Sequence, residues 1–244
     1  LGLKVLLVSS IYPPEQSTEL GANNFSNLIE HGFDTISIGV NPQVSKDLVR
    51  ETFYKYGNLF KATEYALYAI PIHAAIAHKI PLIFLGENPL YTIGQQEGKT
   101  KGGDASGMQF SNTLQGGNPS DIIPNNISNQ DTSFYRYPST NDIKHAGLKI
   151  VYLGYYISDW SELNNAKFAI DRGLKRRKAD PEKTGQLYDF TSLDEDFYVV
   201  NQLLKYFFCP LESILLSTVP IKIGISELFT FCCNLYRMRL FNLK

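Results

Sequence analysis

The chain has 244 residues, of which 43% are hydrophobic and 19% are charged, proportions near those of soluble globular proteins. This length suits one large α/β domain or one and a half ordinary domains. The formal net charge of −1 excludes a global basic field that would attract nucleic acid, and no apolar run is long enough to predict a membrane span. The three cysteines, Cys209, Cys232 and Cys233, favour a reduced, cytoplasmic setting over a disulfide framework.

The first half of the chain predicts alternating strands and helices. Apolar runs, capping residues and turn residues place them at Leu3–Ser9 (strand), Thr18–His31 (helix), Asp34–Val40 (strand), Asn41–Gly57 (helix), Thr63–His78 (helix) and Pro81–Leu85 (strand). Alternating elements joined by short connections indicate a parallel sheet with right-handed crossovers. The expected fold class is therefore α/β.

The second half begins with a long polar excursion over 91–141, which we expect to lie over the carboxyl edge of the sheet and to contain one short helix at Met108–Leu114. The pattern then predicts a strand over Lys149–Ile157 and a helix from Ser161 to Leu174, ended by the basic run Lys175–Lys178. Residues 191–196 are typical of the N-terminus of a last amphipathic helix. We expect an α/β domain over 1–160 and a helical region over 161–244.

The loop Gly86-Glu87-Asn88-Pro89 directly follows an apolar strand. Open α/β sheets bind ligands in the crevice beyond the carboxyl ends of their strands. Gly86 permits close backbone approach, whereas Glu87 and Asn88 supply a carboxylate and an amide. This loop is therefore the first candidate for a reaction site. Lys175–Lys178 has two interpretations, a solvated helix end or a phosphate contact.

Four ordered segments resemble the bacterial N-acetyl sugar amidotransferases of surface-polysaccharide and nonulosonic-sugar biosynthesis. The first is Thr63–Pro71 together with Pro81–Pro89, and the others are Asn112–Pro119, Gly154–Trp160 and Phe190–Phe197. The resemblance runs from about Leu3 to Tyr206. It implies the doubly wound parallel sheet of the PP-loop ATP pyrophosphatases, with a helical C-terminal extension.

The resemblance also implies a reaction. ATP with Mg²⁺ would adenylate the carbonyl oxygen of a sugar N-acetyl group, and ammonia from a partner glutaminase would displace AMP to leave an acetamidino group. The implied nucleotide contacts are Val8 and Ser9 near adenine, Gly86 at the crevice, and Lys175 and Arg176 at phosphates. The implied catalytic residues are Glu87 and Asn88, and the implied substrate contacts are Asp104, Asn112 and Gln115.

The chain departs from the family pattern at both ends. The Ser-Gly-Gly-x-Asp-Ser pyrophosphate loop and the preceding cysteine pairs, the zinc ligands of the family, belong before Leu3 and are missing. The family's first strand lies between those that match Leu3–Ser9 and Pro81–Leu85. We therefore expect a chain cut at its beginning, with the middle of its sheet open. Residues 207–244 lack the amphipathic periodicity expected of a helical C-terminus. This lack predicts a frameshifted or mispredicted C-terminal sequence.

Two rival interpretations remain open. Without its phosphate loop, the same sheet could act as a non-catalytic module that binds an adenine nucleotide or a glutaminase. A glycosyltransferase fragment is the other rival, since those enzymes also use doubly wound sheets with crevice loops that carry glycine and glutamate.

Overall fold

Two pairs of parallel strands form the ladders of this chain. The computed structural model describes residues 4–14, 16–86, 102–111, 114, 116–178, 188–198 and 200–201, all within one compact unit, Leu1–Gln202. Strand β1 (Leu6–Ile11) pairs with β2 (Asp34–Gly39). Strand β3 (Leu82–Leu85) pairs with β4 (Lys149–Tyr152). Within the described residues no ladder joins the two pairs, so the architecture is mixed α/β with two separate parallel strand pairs.

The first two helices begin and end where their capping residues predict. Helix α1 spans Glu19–Glu30, and the Thr18 side chain accepts a hydrogen bond from Gly21 N at its start. Helix α2 spans Pro42–Tyr56 and is capped by Asn41. Gly57, with φ at 61°, takes the left-handed conformation that ends α2. The predicted order of strand, helix, strand and helix is confirmed for this part of the chain.

Helix α3 (Lys61–Ala77) supports both strand pairs. It contains Pro71, it buries ten of its seventeen residues, and it begins two residues before the predicted start because Asn58 accepts hydrogen bonds from Phe60 N and Lys61 N. The helix lies against both β1 and β3. One hydrophobic cluster joins α2 to α3, and a second joins α3 to β3 and β4. The near-continuous apolar character of α3 therefore reflects burial against two layers of structure.

Several boundaries in the second half differ from the prediction. Within the predicted 108–114 helix, the only helical turn among the described residues is a 3₁₀ turn at Met108–Phe110. Helix α4 (Thr140–His145), which carries a capping box, was not predicted. Strand β4 stops at Tyr152 and continues as a 3₁₀ turn over Leu153–Tyr156. These short elements carry too little periodicity for a sequence pattern to distinguish them.

Helix α5 (Glu162–Ile170) ends four residues before the predicted Leu174. Gly173 has a φ of 96°, and Leu174 N donates to Ala169 O at 3.0 Å. This arrangement resembles a Schellman ending, which a glycine near the end of a helix can signal. Across the part of the chain that the structure describes, no helix is both long and apolar enough to cross a membrane.

Candidate functional site

A buried polar contact lies beyond the carboxyl end of β1. The chain turns at Pro13, whose carbonyl oxygen accepts hydrogen bonds from Gln16 N at 2.9 Å and Ser17 N at 3.1 Å. The turn directs the Gln16 side chain inward, where only 1% of the residue is exposed. Its Nε2 donates to Glu195 Oε2 at 3.1 Å and lies 3.5 Å from Thr63 Oγ1. Gln16 therefore connects β1, α3 and the distant Glu195.

Glu195 is a buried carboxylate with two neutral donors. Besides Gln16, it accepts from Tyr198 N at 2.9 and 3.1 Å. Burial raises its pKa, and the bonds from Tyr198 N and Gln16 oppose that rise. Residues 197, 198, 200 and 201 are helical. The predicted helix N-terminus at this acidic run is thus confirmed, and Glu195 caps it from a buried position.

The segment 188–198, here called the strap, is fastened to the start of α1. Ser17 and Glu195 form an antiparallel bridge, and Asp196 N donates to Gln16 O at 3.0 Å. The Thr18 hydroxyl donates to Leu193 O, while Thr18 N donates to Asp194 O at 3.2 Å. A Cβ at Gly21 would lie 2.4 Å from the Cα of Asp194, so this close approach requires glycine.

The basic run Lys175–Lys178 is anchored to α1 and the strap. Lys175 N donates to Asn24 Oδ1 at 2.8 Å, and Arg176 pairs with Asp189 at 3.0 Å. Arg177 is partly buried. It donates to Asp196 Oδ1 at 3.2 Å and to strap carbonyls, those of Ser192 and Glu195. Of the two predicted phosphate contacts, Arg176 already has a partner, whereas the Lys175 ammonium group has none among the described residues.

Val8 and Ser9 lie inside β1 rather than after it. The strand extends to Ile11, two residues beyond its predicted end, with Val8 opposite Ile36 and Ser9 opposite Ser37. The Val8 side chain packs against the hydrophobic core. The loop beyond the strand therefore begins at Tyr12, and the predicted strand boundary was wrong.

Gly86 and Asp104 lie at the carboxyl end of the second strand pair. Leu85, which precedes Gly86, is opposite Tyr152, and Tyr152 N donates to Gly103 O at 2.8 Å. Asp104 is exposed, and its Oδ1 accepts from Ser106 N at 2.9 Å. A Cβ at Gly86 would meet no atom within 4 Å. The other predicted site residues, Glu87, Asn88, Asn112 and Gln115, lie outside the described residues.

The predicted residues that the structure describes thus form two groups. Val8, Ser9, Lys175 and Arg176 belong to β1 and the region around α1 and the strap, whereas Gly86 and Asp104 belong to the end of β3 and β4. Within the described part of the chain, no hydrogen bond or ion pair connects a residue of one group to a residue of the other. Sequence reasoning missed Gln16, a single polar residue in a turn. Its only signal is its place after the first strand of a parallel sheet.

Lys61 is a second polar residue that the sequence did not single out. It is buried at the start of α3, with its Nζ 4.9 Å from the ring centre of Tyr56 and 5.5 Å from that of Tyr65. Burial lowers the pKa of Lys61, and the nearby Glu64 opposes this. A lysine that begins an otherwise apolar helix is the signal of this residue in the sequence.

Asp121 forms an ionic contact nearby. Burial acts to raise the pKa of Asp121, but hydrogen bonds from Lys55 and Tyr56 outweigh that effect and lower the pKa.

The described residues supply only part of what ATP and Mg²⁺ would need. Among them, no group of three His, Cys, Asp or Glu side chains is placed to hold a metal ion. Lys175 is the one predicted phosphate contact without an acidic partner in this part of the chain. Among the described residues, the loop beyond β1 and Lys175 are therefore the remaining candidates for nucleotide contact.

No protein-family model matches the chain, and a search of curated protein sequences finds no significant match.

Proposed function

We propose that this chain is part of an ATP-dependent N-acetyl sugar amidotransferase, built on a doubly wound parallel sheet whose central strand is not among the described residues. The observation that carries the proposal is the separation of the two parallel strand pairs. A backbone edge that faces the protein interior needs hydrogen-bond partners. One further parallel strand between β1 and β3 would supply them.

The position of α3 supports this arrangement. The helix contacts both β1 and β3, each of which is paired on only one side by another described strand. The far side of β4 is covered, because Ala105 N donates to Ile150 O at 2.9 Å and Tyr152 N donates to Gly103 O. An inserted strand would end between the Gln16 turn and Gly86. A phosphate-binding loop at that point would join the two groups of predicted site residues.

The uncovered face of β3 also supports a second layer. Ile83 is 9% exposed and packs toward α3, whereas its neighbours Leu82 and Phe84 are 40% and 48% exposed. Successive side chains of a strand point to opposite faces. A doubly wound sheet carries helices on both faces, so a helix after the inserted strand would cover Leu82 and Phe84.

Two of the four segments that carry the resemblance meet at the Gln16 side chain, which supports the proposal. Thr63 and Glu195 belong to two different segments of that set, and both lie within reach of the Gln16 amide. In the proposed enzyme the loop beyond β1 contacts adenine and Lys175 contacts phosphate. Gly86, Glu87 and Asn88 line the reaction crevice, and Asp104, Asn112 and Gln115 contact the sugar. A glutaminase partner supplies ammonia, and the enzyme works in the cytoplasm.

The direct test is ATP–pyrophosphate exchange on a chain extended upstream by the native coding sequence. We expect exchange that depends on an acetamido sugar, followed by amidine formation when ammonia is added. The chain Leu1–Lys244 is the control, and it should show no exchange because it lacks the phosphate loop. Absence of exchange by the extended chain with every acetamido sugar would contradict the proposal. Calorimetric nucleotide binding without turnover by the extended chain would favour the non-catalytic module.

A further inference from the structure

A small, partly open cavity of about 10 Å³ lies beside the Gln16 turn at the end of β1. Its lining includes Tyr12, Gln16, Ser45, Thr63 and Tyr135. A cavity of this size accommodates roughly one water molecule, provided that polar partners are present. The lining contains several side chains that can donate or accept, so the cavity has both the size and the chemistry for a single small polar molecule.

The Gln16 amide presents an acceptor without a partner. Its Nε2 faces the Glu195 carboxylate at 3.1 Å, which fixes the orientation of the amide because a carboxylate requires a donor. The opposite atom, Oε1, is buried and has no hydrogen-bond partner among the described residues. Buried carbonyl oxygens of this kind are nearly always satisfied, by protein or by bound water. The missing partner must donate a hydrogen bond.

Tyr135 provides a second group in the same cavity wall. The residue is 1% exposed, and its hydroxyl has no partner of good hydrogen-bond geometry among the described residues, although the nearby Ser45 side chain opposes the rise in its pKa. Burial raises the pKa of Tyr135 to about 12, so the phenol is neutral and can both donate and accept. Two unsatisfied polar atoms in the wall of one water-sized cavity point to a common partner.

We propose that this cavity binds one water-sized hydrogen-bond donor, held by Gln16 Oε1 and Tyr135 Oη. Two molecules share this size and chemistry, water and the ammonium ion. The buried Glu195 carboxylate, on the other side of the Gln16 amide, would favour a positive occupant. The ammonium alternative rests on the proposed function, in which ammonia is a substrate, whereas the water alternative does not.

The first test compares Tyr135→Phe with Tyr65→Phe. Tyr65 is also a buried tyrosine with a pKa raised to about 12 by burial, but it does not line the cavity. If the occupant is present, Tyr135→Phe removes one of its partners, and Tm should fall about 2–4 °C further than in Tyr65→Phe. If the cavity is empty, loss of an unsatisfied hydroxyl should leave Tm unchanged or raise it. That result would overturn the proposal.

The second test identifies the occupant in crystals and in solution. A crystal structure of the chain, grown in sodium chloride, should show one density peak within hydrogen-bond distance of Gln16 Oε1. Thermal unfolding in ammonium chloride and in sodium chloride of equal ionic strength then distinguishes the two candidate occupants, water and ammonium. A Tm increase specific to ammonium, lost in Tyr135→Phe, identifies ammonium, and equal Tm values with the density present identify water. An empty cavity in crystals from both salts would refute the site, whatever the outcome of the amidotransferase assay.

Discussion

The Nε2 of Gln16 donates to the Oε2 of Glu195 at 3.1 Å, although the two residues are 179 positions apart in the sequence. This hydrogen bond fastens the strap to the turn beyond β1, where a parallel sheet places its ligands. Both side chains are buried, so loss of this hydrogen bond would leave each of them with one partner fewer in a buried setting. The contact is therefore expected to matter both for stability and for the shape of the crevice.

Glu195→Ala should destabilise the chain by about 1–3 kcal/mol, because it removes a buried carboxylate that accepts hydrogen bonds from Gln16 Nε2 and Tyr198 N. The neighbouring Asp194→Ala is the matched control. Asp194 is exposed and contributes its backbone oxygen to Thr18 N, so loss of its side chain should change the free energy of unfolding by less than about 0.5 kcal/mol. Urea unfolding measures both. Equal effects of the two substitutions would show that the buried contact is unimportant.

The pH dependence of stability should carry the signature of Glu195. In the unfolded chain its carboxyl group titrates near 4.5, and burial raises the pKa in the folded protein. The folded protein then keeps a proton that the unfolded chain has lost, so the stability contributed by this group is complete below pH 4.5 and declines as the pH rises through the folded pKa.

Glu195→Gln removes this titration while keeping the size of the side chain. From about pH 4 to about pH 7, the wild-type protein should lose free energy of unfolding relative to Glu195→Gln. Other carboxyl groups titrate in both proteins and cancel in the comparison. Denaturant unfolding across that range provides the measurement. Parallel pH profiles, or a wild-type protein that gains stability relative to the variant, would contradict the assignment.

Arg177→Ala should loosen the strap, whereas Arg176→Ala should not. Arg177 is partly buried and bonds to the strap at Asp196 and at the carbonyls of Ser192 and Glu195, so its loss should cost about 1–3 kcal/mol. Arg176 makes an exposed ion pair with Asp189, worth about 0–1 kcal/mol. Unfolding free energies and the rate of proteolytic cleavage within 188–198 report the difference. Equal cleavage rates in the two variants would argue against the anchoring role of Arg177.

The sequence predicted the first half of the fold closely because that half carries its own boundary signals. Thr18 and Asn41 are capping residues whose side chains bond to the first turn of the following helix, and Gly57 adopts the left-handed ending. These effects act within a few residues. They can therefore be read from a single sequence without knowledge of the tertiary contacts.

The candidate site was harder to predict because its contacts are distant in the sequence. No residue near Gln16 in the sequence indicates that its side chain bonds to Glu195. Strand β1 was predicted to end at Ser9, but it ends at Ile11 because its pairing with β2 continues to Gly39. Strand ends are set by partner strands rather than by local preference. Gly173, by contrast, was visible in the sequence, and it ends α5 earlier than the apolar pattern alone predicts.

Gly86→Leu separates a ligand role from a structural one. No atom lies within 4 Å of a Cβ added at Gly86, so the free energy of unfolding should change by less than about 0.5 kcal/mol. In the chain extended upstream, the bulky side chain should weaken ATP binding by about tenfold or more, a change of about 1.4 kcal/mol.

Gly117→Ala is the control for Gly86→Leu, because it is expected to change stability rather than ligand binding. Gly117 has a φ of 73°, and an added Cβ would lie 2.4 Å from the Cβ of Tyr137, so the variant should lose about 1–3 kcal/mol of stability. Calorimetric titration with ATP and urea unfolding, applied to both variants, give the two readouts. Unchanged ATP affinity in Gly86→Leu would remove Gly86 from the proposed crevice.

The last prediction concerns the open face of β3, and it compares two lengths of the chain. In the chain Leu1–Lys244, Phe84→Ala should cost less than about 1 kcal/mol because Phe84 is exposed, whereas Ile83→Ala should cost about 2–5 kcal/mol because Ile83 is buried against α3. If the upstream extension supplies the central strand and its helix, Phe84 becomes buried in the longer chain. Phe84→Ala should then cost about 3–5 kcal/mol there, while the cost of Ile83→Ala stays nearly constant. Urea unfolding of the four variants against their parent chains measures this change, and an equally small cost of Phe84→Ala at both lengths would mean that no second layer covers the sheet.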